Sequence, residues 1–216
     1  MRIFSGPMPG RGSLFFEQRS SLKSSVIVRS IVLQRFKKSL ADAPVIKVGK
    51  YDYFVHPMTD GIPRADPEVL DEVVKEMLRI GSFDCDVILA PEAMGIPIAV
   101  PLSLELRIPY SVIRKRGYSL PGEVRVDQQT GYSKGAMFVN GLSRGDRVAI
   151  VDDVLSTGGT LRAVVLALRS IGVEIVDVLV AVEKGNAKER LEAELGIGIK
   201  TLVKVEVRDG RLVVLT

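Results

Sequence analysis

The stretch VAIVDDVLSTGGT, residues 148–160, determines what the chain can build around it. Its first four residues are apolar and mostly β-branched, which predicts a buried strand. Two adjacent aspartates follow, then Val-Leu and the small-residue turn Ser-Thr-Gly-Gly-Thr. The next ten residues, LRAVVLALRS, have the apolar spacing of a helix. This order predicts a cluster of polar groups at the carboxyl end of a strand.

The turn predicts an anion site. A loop that enters a helix presents backbone N–H groups and the positive end of the helix dipole. Gly158 and Gly159 let a ligand approach the backbone closely, and the hydroxyls of Ser156, Thr157 and Thr160 can donate to phosphate oxygens.

The acidic pair has a different ligand. Asp152 and Asp153 are acceptors, so they suit sugar hydroxyls or a hydrated Mg²⁺ rather than a phosphate. Pair and turn together predict a ribose 5-phosphate. The alternative is a solvated strand end followed by an ordinary helix cap, and the specific order of residues favours the ligand site.

Composition limits the class of protein. The 216 residues, 46% of them hydrophobic and 26% charged, suit one α/β domain or a domain with an appendage. No apolar run approaches the roughly 18 residues of a membrane span. One cysteine, Cys85, excludes an internal disulfide and favours a cytoplasmic location. One histidine, His56, argues against a His-rich metal site. The net charge of +4 suits anionic ligands, and we expect neither a membrane nor a nucleic acid as partner.

Residues 1–40 carry eight basic residues and only one acidic residue, Glu17. We predict that residues 1–40 are a basic, partly disordered extension that ends in a helix within VIVRSIVLQRFKKSL, where order begins near Ser25. The domain proper is predicted to span residues 41–216.

Strands and helices alternate after residue 66. Asp66, Pro67 and Gly81 have the order of an N-cap, a first helical residue and a helix end. The alternation predicts an α/β fold, with a mostly parallel sheet, helices on both faces, and ligands at the carboxyl ends of the strands. Polar residues 117–135 predict a long functional loop without apolar periodicity. His56 falls in an expected strand, and the tail predicts a hairpin that turns at Asp209 and Gly210.

Residues 148–160 resemble the phosphoribosyl pyrophosphate (PRPP)-binding motif of type I phosphoribosyltransferases. The resemblance extends over roughly residues 44–216. VIRKRGYSLPGEV with TGYSKG is similar to the flexible loop of adenine phosphoribosyltransferases. YDYFVHPMTDGIP, PEAMGIP, LPGEV and TLVKVEV are similar to the archaeal hypoxanthine/guanine subfamily. The resemblance implies the type I phosphoribosyltransferase-like fold, a small hood from residues 41–64 and 184–216, and a homodimer.

The resemblance also implies roles for individual residues. Asp152 and Asp153 would contact the ribose hydroxyls and Mg²⁺, and Arg114 and Lys115 would neutralise the leaving pyrophosphate. Glu92 is unusual beside an anion and is expected to act through Mg²⁺ or a salt bridge. The residues implied in binding the rest of PRPP are Ala93, Met94 and Gly95 for its pyrophosphate and Ser156, Thr157, Gly158, Gly159 and Thr160 for its 5-phosphate.

In the family, a flexible loop closes over the donor and excludes water from an oxocarbenium-like transition state. Tyr132 and Lys134 match its Y-x-K pattern. Two positions depart from the relatives. Ser156 stands where many 6-oxopurine enzymes have an aspartate, and Gly131 stands where adenine enzymes often have a glutamate. Neither expected general base is present, which leaves Glu183, Asp127 and water as open alternatives.

The implied activity is Mg²⁺-dependent purine salvage from PRPP and a purine base, with hypoxanthine or guanine favoured. Lys184 lies near the lysine that donates to O6 in 6-oxopurine enzymes, whereas Glu183 follows the adenine pattern. An inward Lys184 favours oxopurines, and an outward one would be a solvated lysine. The alternatives are an adenine phosphoribosyltransferase and a non-catalytic PRPP-sensing regulator, against which the retained loop residues argue.

Overall fold

The computed structural model describes residues 33–129 and 134–215 of the chain. The helices are α1 Gln34–Ala41, α2 Pro57–Asp60, α3 Pro67–Ile80, α4 Ile96–Leu106, α5 Gly159–Ser170 and α6 Ala187–Leu195. The strands are β1 Val45–Val48, β2 Tyr51–Phe54, β3 Val87–Pro91, β4 Tyr110–Ile113, β5 Val124–Gln129, β6 Lys134–Val139, β7 Arg147–Leu155, β8 Glu174–Lys184, β9 Lys200–Arg208 and β10 Arg211–Val214.

A six-stranded sheet in the order β10-β9-β8-β7-β3-β4 forms the centre of the fold. All neighbouring strands are parallel except β10, which pairs antiparallel with β9. Because β3, β4, β7, β8 and β9 run in the same direction, their carboxyl ends meet at one edge of the sheet. The acidic pair in β7 therefore lies beside the ends of β3 and β8.

Helices cover both faces of this sheet, and the predicted fold class is confirmed. On one face, Val148, Ile150 and Val178 belong to a buried hydrophobic cluster with α5 and α6. Alternate strand residues point to the other face, where α3 and α4 contact β3, β7 and β9. Helix α3 begins and ends as predicted, because the Asp66 side chain accepts from Glu68 N at 2.9 Å and Gly81 is the C-cap.

Helix α1 packs into the body of the fold. Phe36 and Leu40 are fully buried, and the helix contacts α3 and β10. The Glu72 carboxylate accepts from the N–H groups of Arg35 and Phe36, at 3.3 and 3.1 Å, in the first turn of α1. The part of the extension predicted in residues 1–32, including the start of order near Ser25, lies outside the described residues.

The predicted long loop at residues 117–135 is partly wrong, because it contains a β-hairpin. Strands β5 and β6 pair antiparallel, with Val124 opposite Val139 and Val126 opposite Met137. Val126, Met137 and Val139 are buried in the cluster under α5. Apolar and polar residues alternate in VRVD, and this period-two pattern outweighed the overall polarity of the stretch.

Two further hairpins complete the description. Within residues 41–64, one of the two segments expected to form the hood, residues 45–54 make the separate pair β1–β2. In the other segment, residues 184–216, β9 and β10 add two strands at one edge of the central sheet. Their turn lies at Asp209 and Gly210 as predicted, and both residues have positive φ, 49° and 72°, which suits a tight hairpin.

His56 is a helix cap, so its predicted place in a strand is wrong. It precedes α2, and its Nδ1 accepts from Met58 N at 3.1 Å. Nδ1 is thus an acceptor, and Nε2–H donates to Ser39 Oγ at 3.0 Å. Burial of the ring lowers the pKa of His56 from 6.5 to about 4, although nearby Asp60 acts in the opposite direction.

Across residues 33–129 and 134–215, no helix is at once long enough and apolar enough to span a bilayer.

Candidate active site

A cavity of about 380 Å³ opens at the carboxyl edge of the sheet. Its walls come from β2, α2, the segments after β3 and β4, the end of β7 with the turn that follows, and the end of β8. The position is the one that a parallel sheet favours for ligands. The positions of the predicted donor-binding residues and of Lys184 are therefore described relative to this cavity.

Asp152 and Asp153 lie half-buried in the last part of β7 and both line the cavity. The strand continues to Leu155, the residue directly before the turn that begins at Ser156. Asp153 N donates to Asp152 Oδ1 at 2.9 Å. Burial raises the pKa of both carboxyls, and the charge of Asp153 adds to the rise at Asp152. A cation or donating sugar hydroxyls would stabilise the charged carboxylates and relieve this cost.

The turn after β7 presents residues 156–160 to the cavity. Gly158 occupies the N-cap of α5 with a φ of 77°, and no side-chain oxygen caps this end of the helix. A Cβ on Gly158 would lie 2.4 Å from Leu191 Cδ1, so both backbone angle and space require glycine. Arg190 of α6 donates to Thr157 O at 2.8 Å and supports the turn from behind.

The segment after β3 contributes Ala93 and Met94 to the cavity wall, but Gly95 does not line it. A Cβ on Gly95 would stand 2.8 Å from Pro91 O and 3.0 Å from Val151 O. The predicted close approach at Gly95 is therefore between this segment and the backbones of β3 and β7. The glycine lets α4 begin directly against the sheet.

The contacts of Glu92 account for an acidic residue beside a predicted anion site. Its carboxylate forms a brace, because it contacts both residues of the predicted basic pair. Its Oε2 lies 3.0 Å from Arg114 Nε, and its Oε1 accepts from Lys115 N at 2.6 Å. The Arg114 backbone also bridges to Phe138 of β6. Glu92 and Lys115 line the cavity, whereas Arg114 does not.

Lys184 points inward at the end of β8. Its ammonium lies 3.8 Å from the centroid of the Tyr51 ring and donates to the carbonyl of Asp52. Glu183, the neighbouring residue, points away and is 3% exposed. It forms an ion pair with Lys204 Nζ at 2.6 Å and accepts from Thr201 Oγ1 at 3.0 Å. Consecutive strand residues face opposite sides, so only Lys184 of the predicted base-binding pair reaches the cavity.

The two named candidates for a general base do not reach the cavity. Glu183 is engaged as described, and Asp127 of β5 is an exposed residue paired with Arg125 at 2.9 Å. Of the loop residues, Tyr132 lies outside the described residues, and Lys134 is the first residue of β6, opposite Gln129.

Tyr51, Tyr53 and Asp60 line the cavity and were not predicted from the sequence. Tyr51 OH lies 2.6 Å from Ser156 Oγ, and Tyr53 OH donates to Asp60 Oδ1 at 2.6 Å. The signal was present, because residues 51 and 53 of the strand share one face.

Asp60 is well supplied with donors. Besides Tyr53, it accepts from His56 N at 2.9 Å and from Thr59 Oγ1 at 2.7 Å. These three hydrogen bonds hold the Asp60 carboxylate in place beside Tyr53.

The described residues contain no group of three or more His, Cys, Asp or Glu side chains arranged for a metal ion. The site offers two adjacent carboxylates, Asp152 and Asp153. This set fits Mg²⁺, which proteins commonly hold by one or two carboxylates while phosphate oxygens of a substrate supply further ligands.

Known proteins of the same architecture share this arrangement of sheet and helices. The structure is similar to an adenine phosphoribosyltransferase of Thermoanaerobacter pseudethanolicus, with a TM-score of 0.66, 22% identity, and coverage of 80% of this chain and 99% of that one. That likeness establishes the fold.

Sequence comparison defines the family. The family model described as phosphoribosyl transferase domain matches residues 68–205. A hypoxanthine/guanine phosphoribosyltransferase of Methanohalophilus mahii is 50% identical over 82% of this chain and 93% of its own length. One of Methanobacterium paludis is 51% identical over 85% and 96%. The chain belongs to the phosphoribosyltransferase family, and it is therefore an enzyme of the glycosyltransferase type.

Proposed function

We propose that the protein transfers the 5-phosphoribosyl group of PRPP to hypoxanthine or guanine, releasing pyrophosphate and forming IMP or GMP. The observation that carries the purine assignment is the inward ammonium of Lys184, in the same cavity as the acidic pair and residues 156–160. The names of the relatives at about half identity support the same substrates.

Residue roles follow from position and chemistry. The turn at residues 156–160 would bind the 5-phosphate through backbone N–H groups and hydroxyls. Asp152 and Asp153 would accept from the ribose hydroxyls and hold Mg²⁺, which supplies charge compensation for PRPP when bound. Lys115 would meet the pyrophosphate, while Glu92 fixes its backbone.

The reaction exchanges one bond at the anomeric carbon for another. A purine ring nitrogen forms a bond to this carbon, the bond from carbon to pyrophosphate oxygen breaks, and the purine loses a proton. The candidate bases Glu183 and Asp127 are engaged outside the cavity. We therefore assign proton acceptance to water or to a phosphate oxygen of the substrate.

Purine choice depends on hydrogen-bond direction at position 6. Hypoxanthine and guanine present a carbonyl acceptor there, whereas adenine presents an amino donor. An ammonium only donates, so Lys184 pairs with an oxopurine and opposes adenine. Discrimination of this kind is strong when the mismatched polar groups would be buried.

The direct test is turnover of the purified protein with PRPP and Mg²⁺. Hypoxanthine, guanine, xanthine, adenine and orotate are offered separately, and pyrophosphate release is followed. We expect release with hypoxanthine or guanine. Preferred use of adenine would overturn the purine assignment. Absence of turnover with all five bases, together with tight PRPP binding by calorimetry, would instead indicate a PRPP-sensing regulator.

Lys184→Ala tests the residue that supports the assignment. Loss of a charged donor is expected to reduce kcat/KM for hypoxanthine and guanine about ten- to a hundredfold more than for adenine. Lys75→Ala removes an exposed lysine on α3 that pairs with Asp71 and should change neither value. Equal losses for all bases would remove Lys184 from base recognition.

We also propose a cytoplasmic homodimer, on the strength of the family resemblance. Analytical ultracentrifugation tests the assembly, since a dimer sediments with twice the chain mass of 23.6 kDa.

A further inference from the structure

We propose that Tyr51 is a positioning residue for purine selection, because its ring fixes the Lys184 ammonium beside the Asp52 carbonyl and its hydroxyl joins the β1–β2 hairpin to Ser156. The inference rests on the proposed function and deepens it. It adds a residue that touches both the base end and the donor end of the cavity.

The first step concerns the direction of the ammonium. Lys184 Nζ lies 3.8 Å from the Tyr51 ring centroid, within the range of a cation–π contact, and it donates to the Asp52 carbonyl. Lysine has a long, flexible side chain with three equivalent N–H groups. The ring and the carbonyl engage two of these N–H groups. The direction of the remaining N–H group is therefore fixed.

The second step concerns the Asp52 carbonyl. Asp52 follows Tyr51 in β2, and its carbonyl accepts from the Lys184 ammonium. Ring and carbonyl together hold the ammonium against the hairpin, where it can act as the donor for an oxopurine. This effect requires the ammonium to stay where the Tyr51 ring holds it.

The third step concerns the other end of the side chain. Tyr51 OH lies 2.6 Å from Ser156 Oγ, and Ser156 opens the turn assigned to the 5-phosphate. Tyr51 stands at the start of β2 opposite Val48, after a turn in which Gly49 has a φ of 62°. The hairpin thus presents one tyrosine whose ring contacts the base side and whose hydroxyl contacts the donor side.

Two substitutions separate these contacts. Tyr51→Phe keeps the ring and removes the hydroxyl. It is expected to raise KM for PRPP about two- to tenfold, as for one hydrogen bond, while the ratio of kcat/KM for hypoxanthine to that for adenine stays within twofold of wild type. Tyr51→Leu also removes the ring, and we expect this ratio to fall about three- to thirtyfold. Tyr110→Leu, at an exposed tyrosine of β4, is the matched control and should leave both values unchanged.

A double-mutant cycle shows whether Tyr51 acts through Lys184. In a Lys184→Ala background, Tyr51→Leu should no longer change the base ratio, because the group that it positions is gone. A merely structural role would lower the melting temperature and the use of all bases together, leaving the ratio intact. If Tyr51→Leu does not fold, Tyr51→Met replaces it in the same cycle.

The outcomes are distinguishable from failure of the proposed function. If the wild-type protein prefers adenine, the proposed function fails and the inference with it. If the wild type prefers an oxopurine and Tyr51→Leu retains the wild-type ratio, only the inference is overturned. A ratio that falls equally with and without Lys184 would also overturn it, since Tyr51 would then act directly on the base.

Discussion

At the scale of single residues, the acidic pair shows a conflict between function and stability. Asp152 and Asp153 are adjacent, half-buried and mutually repulsive, and burial raises the pKa of each. A carboxyl whose pKa is raised by folding contributes stability at low pH and loses it as pH increases through the raised pKa. As pH increases through these raised pKa values, the unliganded protein therefore loses stability that a ligand favouring the charged carboxylates would restore.

Replacing both aspartates tests this conflict. Asp152→Asn with Asp153→Asn should reduce turnover by orders of magnitude, because the ligands for ribose and Mg²⁺ are lost. The melting temperature without ligand should stay the same or rise by about 2–4 °C for each kcal/mol gained. Calorimetric scans with and without Mg²⁺ and PRPP provide the measurement. Full activity in the double variant would contradict the site assignment.

The residues that sequence reasoning identified well are those bound to a local motif. Asp152, Asp153 and residues 156–160 come together because one strand, one turn and one helix place them. Tyr51 was missed because its contact with Ser156 crosses 105 positions of the chain. Tyr53 and Asp60 pair locally, but only the complete fold brings that pair to the cavity. Glu183 and Lys184 could not be separated without the register of β8, which decides which of them faces the cavity.

At the scale of elements, the short helix α2 depends on a neutral histidine. His56 caps it through Nδ1, and Nε2 contacts Ser39 beside the last residues of α1. Burial lowers the pKa of His56 to about 4. Between pH 6.5 and 4 the unfolded chain binds a proton that the folded chain does not, so the free energy of unfolding falls as pH decreases.

His56→Asn isolates this effect, because asparagine is a good N-cap that does not titrate. In the wild type, the histidine should cost up to about 3 kcal/mol of stability across that window. The unfolding free energy of the wild type, minus that of the variant, should therefore decrease as the pH falls from about 7 to 4. Urea unfolding at a series of pH values measures it. A constant difference would show that His56 is protonated equally in both states.

Prediction of the elements succeeded where patterns were long and strongly periodic. Helix α3 and the strands β3, β7 and β8 follow directly from caps and apolar runs. Strand β5 was missed because its apolar residues are few, and burial against α5 decides its conformation. Helix α6 was not anticipated either, although it buries Ala187, Leu191 and Leu195 behind the turn at residues 156–160.

At the scale of the whole molecule, the body of the fold begins earlier than the sequence resemblance does. Helix α1 lies outside the span of the resemblance, residues 44–216, yet Phe36 and Leu40 are fully buried. Truncating a buried aromatic or leucine side chain lowers the free energy of unfolding by several kcal/mol. Charge and composition group residues 1–40 together, whereas packing places residues 34–40 in the body of the fold.

Two truncations test where the body begins. Deletion of residues 1–24 should leave the melting temperature and turnover near wild type, because every described element remains. Deletion of residues 1–40 removes most of α1 and should lower the melting temperature by more than about 10 °C. Differential scanning calorimetry and the PRPP assay compare the two. A large loss on removing residues 1–24 would assign those residues a structural role.

The brace formed by Glu92 has a consequence for competition among the anions of a cell. An anion that binds Arg114 must compete with the Glu92 carboxylate, whose Oε2 lies 3.0 Å from Arg114 Nε. A pair of this exposure contributes about 1 kcal/mol or less, so we expect Glu92 to weaken the binding of a simple anion at Arg114 by at most about fivefold. Pyrophosphate has more oxygens and could engage Lys115 as well. We therefore expect Glu92 to weaken pyrophosphate less than chloride or orthophosphate, which would favour the larger anion at this site.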